Sequence, residues 1–450
     1  MGKAARRLPL EVPVRAVRPS GGRQEPAAER PAASPGGTRP HRPVDPLGGL
    51  RHPGDPPCDV FLTGTVFLDI VFTGLDAAPV RGTENWARGM GSSPGGIANM
   101  ATALARLGLR TSLAAAFGDD KYGEYCWETL ERGEGIDLSH SRTIPGWHSP
   151  VTVSLAYEGE RTMITHGHAA PTPDPGSPAP GTTPRSRSCV VSLTPDRDQE
   201  WIVPAARAGS RLFATVGWDD TGRWDLAALP GLAHCEAFLP NAAEAMRYTG
   251  ADTPLAAARR LAERVPVAVV TMGEDGACAA DGRSGETASV PAIPVDALDT
   301  TGAGDVFIAG FVTATLAGWP LPDRLAFAGL TAALSVQEFG GSLSAPGWAQ
   351  IAAWWARARG AAQGARSRSV PPALARYAFL DRLLPGCAEP AGAGRWTASC
   401  APLPRAIPTL GFPLLDNGPR PAGPDGGGRR DSRASRGSRG SRRARGDDLG

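Results

Sequence analysis

The sequence predicts an α/β protein: a doubly wound, mostly parallel central sheet flanked by helices, set between two arms with no fold of their own. Two observations predict it. Short apolar runs of strand composition recur at Val60–Phe72, near Leu113, Cys189, Leu212 and Phe238, and at Val267–Ala277, with helical or loop connections between them. Continuous apolar runs suit parallel strands covered on both faces, and their alternation with helices suits βαβ units with ligands at the carboxyl ends of the strands. The chain also holds 57 glycines and 44 prolines, and much of that excess lies before Cys58 and after Gly386. Apolar periodicity is absent there, so the ends cannot bury enough surface to offset the entropy of ordering them. The 450 residues therefore divide into a disordered Pro/Arg/Gly-rich arm (1–57), one large domain (58–386) and a disordered Pro/Gly/Arg-rich basic tail (387–450).

Composition excludes several classes of function. A formal net charge of +2 implies no general nucleic-acid or membrane role. Only the run Arg429–Gly446 is basic enough for salt-sensitive contact with nucleic acid or acidic surfaces. The seven cysteines include no C-x-x-C pair, which argues against a zinc site or a disulfide framework and for a reducing cytoplasm. No run approaches the roughly 18–20 apolar residues that span a bilayer. No apolar core follows the N-terminal charges, and Arg6 stands where a myristoylation motif wants Ser or Thr.

Each element follows from its local pattern. Val60–Phe72 reads as one buried strand interrupted by Gly64, with Asp69 as its anomaly; a lone carboxylate in such a run is costly unless it stands at the strand end with something to bind. Ser93–Gly108 reads as a glycine turn entering a helix, with Ile97, Ala98, Ala101, Leu104, Ala105 and Leu107 on one face and Asn99 in the first turns. From Leu113 the chain reads as strand, turn at Gly118-Asp119-Asp120, helix through Leu130, and a turn at Gly133 and Gly135. Val151–Ala169 alternates as a hairpin turning at Glu158-Gly159, with His166 and His168 at its end, a pair without a third metal ligand. Pro171–Pro184 is loop.

The run at Phe238 delivers Asn241 and Glu244, one helical turn apart on one face. They suit a helix cap, or a carboxylate that orients Mg²⁺ through water. Val267–Ala277 ends in a glycine turn holding Thr271, Gly273 and Gly276, and a hairpin about Asp281-Gly282 leads on to Asp299. Helices are expected over Val306–Leu316, Leu325–Val336 and Arg376–Pro385.

The most informative stretch is Asp299–Phe311, DTTGAGDVFIAGF. The N–H groups of Gly302, Ala303 and Gly304, unobstructed by large side chains, can point at an anion where the helix dipole favours negative charge. Asp305 in the first helical turn places a carboxylate beside that anion. An anion cradle with an adjacent base suggests phosphoryl transfer.

This string, with the Gly-Gly turn before Asn99, the N-x-x-E of Asn241 and Glu244 and the T-x-G-x-x-G of Thr271, Gly273 and Gly276, resembles the ribokinase-like (PfkB) family of sugar and nucleoside kinases over about Asp59–Trp348. The pair Gly95-Gly96 is one residue closer to Asn99 than the family spacing G-G-x-x-A-N, or Pro94 replaces the first glycine. The resemblance implies a ribokinase-like fold with a small β lid, mainly about 73–92 and 148–168, that closes over the sugar. It also implies ATP and Mg²⁺ as cofactors, Asp305 as base and Gly302, Ala303 and Gly304 as anion hole. Asp69, Gly95, Gly96 and Asn99 would bind the sugar or nucleoside, Asn241, Thr271, Gly273 and Gly276 the nucleotide, and Glu244 would act on Mg²⁺ through water. Many relatives hold a monovalent cation, and by position Asp299, Thr301, Gly340 and Ser344 would line a K⁺ site. Phe67 stands where ribose kinases of the family have Asn, which points away from ribose. The expected protein is a cytoplasmic kinase, monomer or homodimer, with a small-molecule acceptor. Two rivals differ in class. A kinase-like ligand sensor would act through the basic tail on nucleic acid; a dinucleotide oxidoreductase would need a G-x-G-x-x-G turn after the first strand, which is absent.

Overall fold

The structure, a computed structural model, describes residues 44–157, 160–168, 185–197, 199–364 and 372–384. The turn at Glu158-Gly159, the loop Pro171–Pro184 and the tail from 385 onward, with its basic run, lie outside the described residues.

The chain begins with β1 (Cys58–Thr63), β2 (Val66–Thr73), β3 (Gly89–Gly96), α1 (Ile97–Arg106), β4 (Thr111–Ala114), β5 (Ala116–Gly118), α2 (Lys121–Glu128) and β6 (Arg142–Ile144). It continues through β7 (Val151–Tyr157), β8 (Glu160–His166), β9 (Ser186–Leu193), α3 (Ile202–Arg207), β10 (Arg211–Val216), β11 (Ala237–Phe238), α4 (Ala242–Thr249), α5 (Pro254–Leu261), β12 (Val267–Thr271), β13 (Ala277–Asp281) and β14 (Thr287–Val290). The helices α6 (Ala303–Leu316), α7 (Leu321–Ser335), α8 (Gly341–Ser344), α9 (Trp348–Gly364), α10 (Pro372–Ala375) and α11 (Leu380–Leu383) follow.

The main sheet has eight strands in the order β14-β13-β12-β11-β10-β9-β1-β4. Pairing is parallel from β4 through β12 and antiparallel only at β12-β13 and β13-β14. Strand alternation sorts side chains onto two faces. Val60, Leu62, Val190 and Phe213 meet α1, α6, α7 and α9, whereas Phe61, Cys189, Leu212 and Phe238 meet α3, α4 and α5. Helices therefore cover both faces, as a doubly wound sheet requires, and Phe61, Phe213 and Phe238 are fully buried. Each such side chain contributes about 1.5–3 kcal/mol relative to exposure.

A second sheet, in the order β3-β2-β7-β8, corrects one expectation. Val60–Phe72 is not a single strand: it divides at Gly64-Thr65, giving β1 to the main sheet and β2 to the small one. A continuous apolar run reports burial on both faces but not which sheet supplies the cover. At the break, a Cβ on Gly64 would lie 2.9 Å from that of Ile97, so the bend packs closely on the start of α1. The small sheet therefore uses Val66–Thr73 and Gly89–Gly96 where the lid expectation began near 73, and Ser93–Gly96 are strand rather than helix entry.

Residues 44–57 also depart from the expected disordered arm. Leu47 is fully buried, and Arg51 donates to the buried carboxylate of Asp59 through Nε (3.2 Å) and Nη2 (2.7 Å). A window average over the Pro-rich arm conceals one apolar anchor and one paired arginine. At the other end α9 was not anticipated, and the helix expected over Arg376–Pro385 is confined, among the described residues, to Leu380–Leu383.

Candidate active site

Gly302 ends the DTTG turn in the left-handed region, φ 71°, and α6 starts directly after it. From Val306 to Thr315 every residue of α6 is buried, so the helix is apolar all round and its N-terminus is held by packing. Asp305 sits half-buried in the first turn. Burial lifts its carboxyl to about 6, against a hydrogen bond from Asn99 that favours the ionised form. Gly304 is exposed, with nothing within 4 Å of where its Cβ would be, so a ligand can approach its backbone. The Ala303 N–H, expected to face an anion, donates instead to the Thr300 carbonyl at 3.2 Å.

On the small sheet Asp69 of β2 lies opposite Ser93 of β3 and is 8% exposed. Its carboxylate rests on Gly95, where a Cβ would lie 1.9 Å from Oδ2; any side chain there would displace it. Gly96 has φ 63°, and its Cβ would come within 2.4 Å of the Thr65 carbonyl and 2.7 Å of the Phe67 ring. Asn99 then stands in the first turn of α1 and donates from Nδ2 to Asp305 Oδ2 at 3.2 Å. The expected acceptor-binding residues thus form one lining that reaches Asp305.

At the carboxyl ends of β11 and β12 the expected nucleotide residues meet. Asn241 caps α4 and bridges to Thr271. Asn241 Oδ1 accepts from the Glu244 N–H at 3.0 Å and Glu244 Oε2 from the Asn241 N–H at 2.9 Å, a complete capping box. Glu244 is buried, which raises its carboxyl above the usual range against the Asn241 hydrogen bond. The cap alone accounts for both residues, although it uses only one carboxylate oxygen. Beyond Thr271, Gly273 and Gly276 have φ 57° and 95°, and a Cβ on Gly276 would strike the Val290 carbonyl at 2.1 Å. Those positions require glycine for the turn itself.

Asp299 knits the signature to the segment before α8. Its Oδ1 accepts from the Thr301 N–H (2.9 Å) and hydroxyl (2.6 Å), and its Oδ2 from the Gly340 N–H (3.0 Å). The Gly340 carbonyl accepts from the Ser344 N–H at 2.7 Å, and the Ser344 hydroxyl donates to Gly341. All four residues expected at a cation are therefore in one network that also closes without an ion. The His166 and His168 rings lie 4.9 Å apart with His148 5.8 Å from His168, yet no group of three or more His, Cys, Asp or Glu suited to a metal occurs among the described residues.

Sequence reading missed what holds α1. Gly341 abuts the Asn99 carboxamide, Ser342 donates to the Pro94 carbonyl at 2.6 Å, and buried Arg106 pairs with Glu134 and donates to the Leu343 and Ala345 carbonyls. A second glycine in Gly340-Gly341 was the available signal for the first contact; a lone helical arginine carries none.

A family model described as pfkB family carbohydrate kinase matches residues 65–348. The chain is 32% identical over 251 residues to a fructokinase of Klebsiella pneumoniae, covering 52% of this chain and 80% of that protein. It is 28% identical over 299 residues to a nucleoside kinase of Methanothermobacter thermautotrophicus, covering 64% and 92%. A ribokinase of Arabidopsis thaliana solved with ribose and ATP superposes with TM-score 0.52 at 22% identity, over 64% of this chain and 96% of that one, which establishes a shared fold.

Proposed function

The chain belongs to the pfkB family of carbohydrate kinases, phosphotransferases with an alcohol group as acceptor, and we propose that it moves the γ-phosphoryl of ATP to a hydroxyl of a sugar or nucleoside with Asp305 as general base. The observation that carries this is Asp305 itself. A half-buried carboxyl with its pKa raised to about 6, at the glycine-lined start of a buried helix, is ionised at neutral pH yet more basic than an exposed aspartate. Gly302 and Gly304 offer backbone to the phosphates, with Ala303 joining the anion hole only if its bond to Thr300 opens.

Asp69, Gly95, Gly96 and Asn99 hold the acceptor, and the hydroxyl loses its proton to Asp305 as its oxygen bonds to the γ-phosphorus and ADP departs. Asn241, Thr271, Gly273 and Gly276 receive the nucleotide. Glu244, with one oxygen left by its cap, would hold Mg²⁺ through water, and the ion would supply positive charge against the phosphates. Alignment in the closed cleft supplies about 7–11 kcal/mol, more than the roughly 10²–10⁴-fold from the base. For K⁺, Asp299, Thr301, Gly340 and Ser344 remain the residues of choice. Their mutual bonds must loosen to admit it, and a comparison of rates in K⁺ and tetramethylammonium salts decides the point.

Phe67 narrows the acceptor. It shares a face of β2 with Asp69 and fills the space beside Gly96, so the acceptor meets an apolar ring where a further polar contact would suit ribose. A ketose or a nucleoside fits that wall. ATP-dependent phosphate transfer against a panel of sugars and nucleosides tests the reading, with turnover expected for a ketose or nucleoside and an acid limb near pH 6. Absence of transfer to every member would contradict it.

A further inference from the structure

The Asn99 carboxamide sits in a slot walled by glycine. Its residue is 5% exposed, and it lies between two glycines whose missing side chains make room for it: a Cβ on Gly302 would come within 3.2 Å of Cγ and Nδ2, and one on Gly341 within 2.5 Å of Oδ1. Nδ2 donates to Asp305, whereas Oδ1, equally buried, has no hydrogen-bond partner among the described residues. A buried acceptor without a partner costs about 1–3 kcal/mol, so its retention calls for a use.

We propose that Asn99 is a positioning residue for Asp305: its Nδ2 orients the ionised carboxylate toward the acceptor, and its Oδ1 accepts a hydrogen bond from the protonated carboxyl after transfer. The proposal rests on the reading of Asp305 as base. While Asp305 is ionised it can only accept, and Nδ2 is the end of the amide that donates. Once it has taken the acceptor's proton, it becomes an O–H donor and needs an acceptor. A half-turn of the carboxamide about its last torsion presents Oδ1 in the place of Nδ2. The amide is thus matched to both protonation states, and no covalent bond of its own changes.

The surroundings favour this role. No ion pair reaches Asp305 among the described residues; burial and the Asn99 bond are what act on it. The titratable side chains on adjoining segments are Asp69 on β2, Asp299 before α6 and Glu338 before α8, while Arg106 at the far end of α1 is committed to Glu134. Because α1 continues directly from β3, the small sheet and the base share one connection through Asn99.

The test compares Asn99→Leu, near in size but without hydrogen bonds, with the parent in ATP-dependent transfer across pH. Loss of the bond removes a preference for the ionised form, so the acid limb should move up from near 6 by about one pH unit, which lowers kcat at pH 7 by about twofold with recovery at higher pH. A raised KM with an unmoved acid limb would make Asn99 a substrate contact only and overturn the proposal. Should Asn99→Leu fold poorly, Gly341→Ala decides, because it keeps the asparagine but pushes its carboxamide away from Asp305; its acid limb should also rise, and an unchanged profile counts against the idea. Asp305→Asn separates the two layers. If that variant transfers phosphate like the parent, the base assignment falls and this proposal with it. If it is inactive while both Asn99 tests leave the limb unmoved, only this proposal falls.

Discussion

Single residues decide where the chemistry can happen. Gly95 is one: the carboxylate of Asp69 occupies the volume a Cβ would need, 1.9 Å from its own oxygen. Gly95→Ala should raise the acceptor KM at least about tenfold, since even one displaced charged hydrogen bond is worth about 1.5–3 kcal/mol, with ATP affinity little changed; equal KM values for the acceptor in the two proteins would refute the contact. Asp59 is the corresponding residue for stability. It is fully buried beneath Arg51, Arg110 and Arg187. Burial pushes its carboxyl up, but the hydrogen bonds from Arg110 and Arg51 outweigh it and hold the group at about 2. A depressed folded pKa means stability present above the ordinary value near 3.8 and lost as pH falls toward 2. Asp59→Asn should therefore flatten the loss of Tm between pH 4 and 2, and Asp59→Ala should cost about 3 kcal/mol at neutral pH by chemical denaturation. The signature Asp299–Asp305 was legible because glycines and acids at fixed spacing have few other uses. The bond from Asn99 to Asp305 was not, because 206 positions separate the partners and only the fold brings them together.

At the level of elements, local pattern was a good guide to type and a poor one to partner. The alternation of apolar runs and helices gave the parallel sheet, yet the run Val60–Phe72 serves two sheets, and nothing in its composition marks Gly64-Thr65 as the crossing. Helix α6 was legible as a buried helix from its unbroken apolar and small residues, and its packing on α7 uses a glycine that the sequence does not explain. At Gly310 a Cβ would lie 2.5 Å from the Thr331 hydroxyl and 2.9 Å from the Ala328 Cα. Gly310→Ala should thus overpack the pair and destabilise by about 1–3 kcal/mol, read as a lower denaturant midpoint; an unchanged midpoint would show that α6 and α7 separate without cost. The capping box on α4 gives a second case. Asn241→Ala should lower stability by about 1 kcal/mol through the lost cap and also raise the KM for ATP. A stability loss with an unaltered KM would leave Asn241 purely structural.

For the whole molecule, composition put the start of packing at Cys58, whereas Leu47 and Arg51 are already held by the domain. No helix among the described residues is long and apolar enough to cross a membrane, and Cys58, Cys126, Cys189, Cys235 and Cys278 are buried free thiols. Our proposed division keeps catalysis within 58–386, so removal of the residues after Gly386 should leave transfer intact. If it abolished function while the core stayed folded, the sensor reading through the basic tail would gain.

If Asp305 is the base of a phosphoryl transfer, its loss must slow the chemistry and spare nucleotide binding. Single-turnover phosphate transfer by Asp305→Asn, measured beside ATP binding by calorimetry, separates the two. Nucleotide affinity should stay close to the parent's with transfer slowed by roughly 10²–10⁴-fold; transfer at a rate near the parent's, with ATP bound equally well, would remove Asp305 from that role.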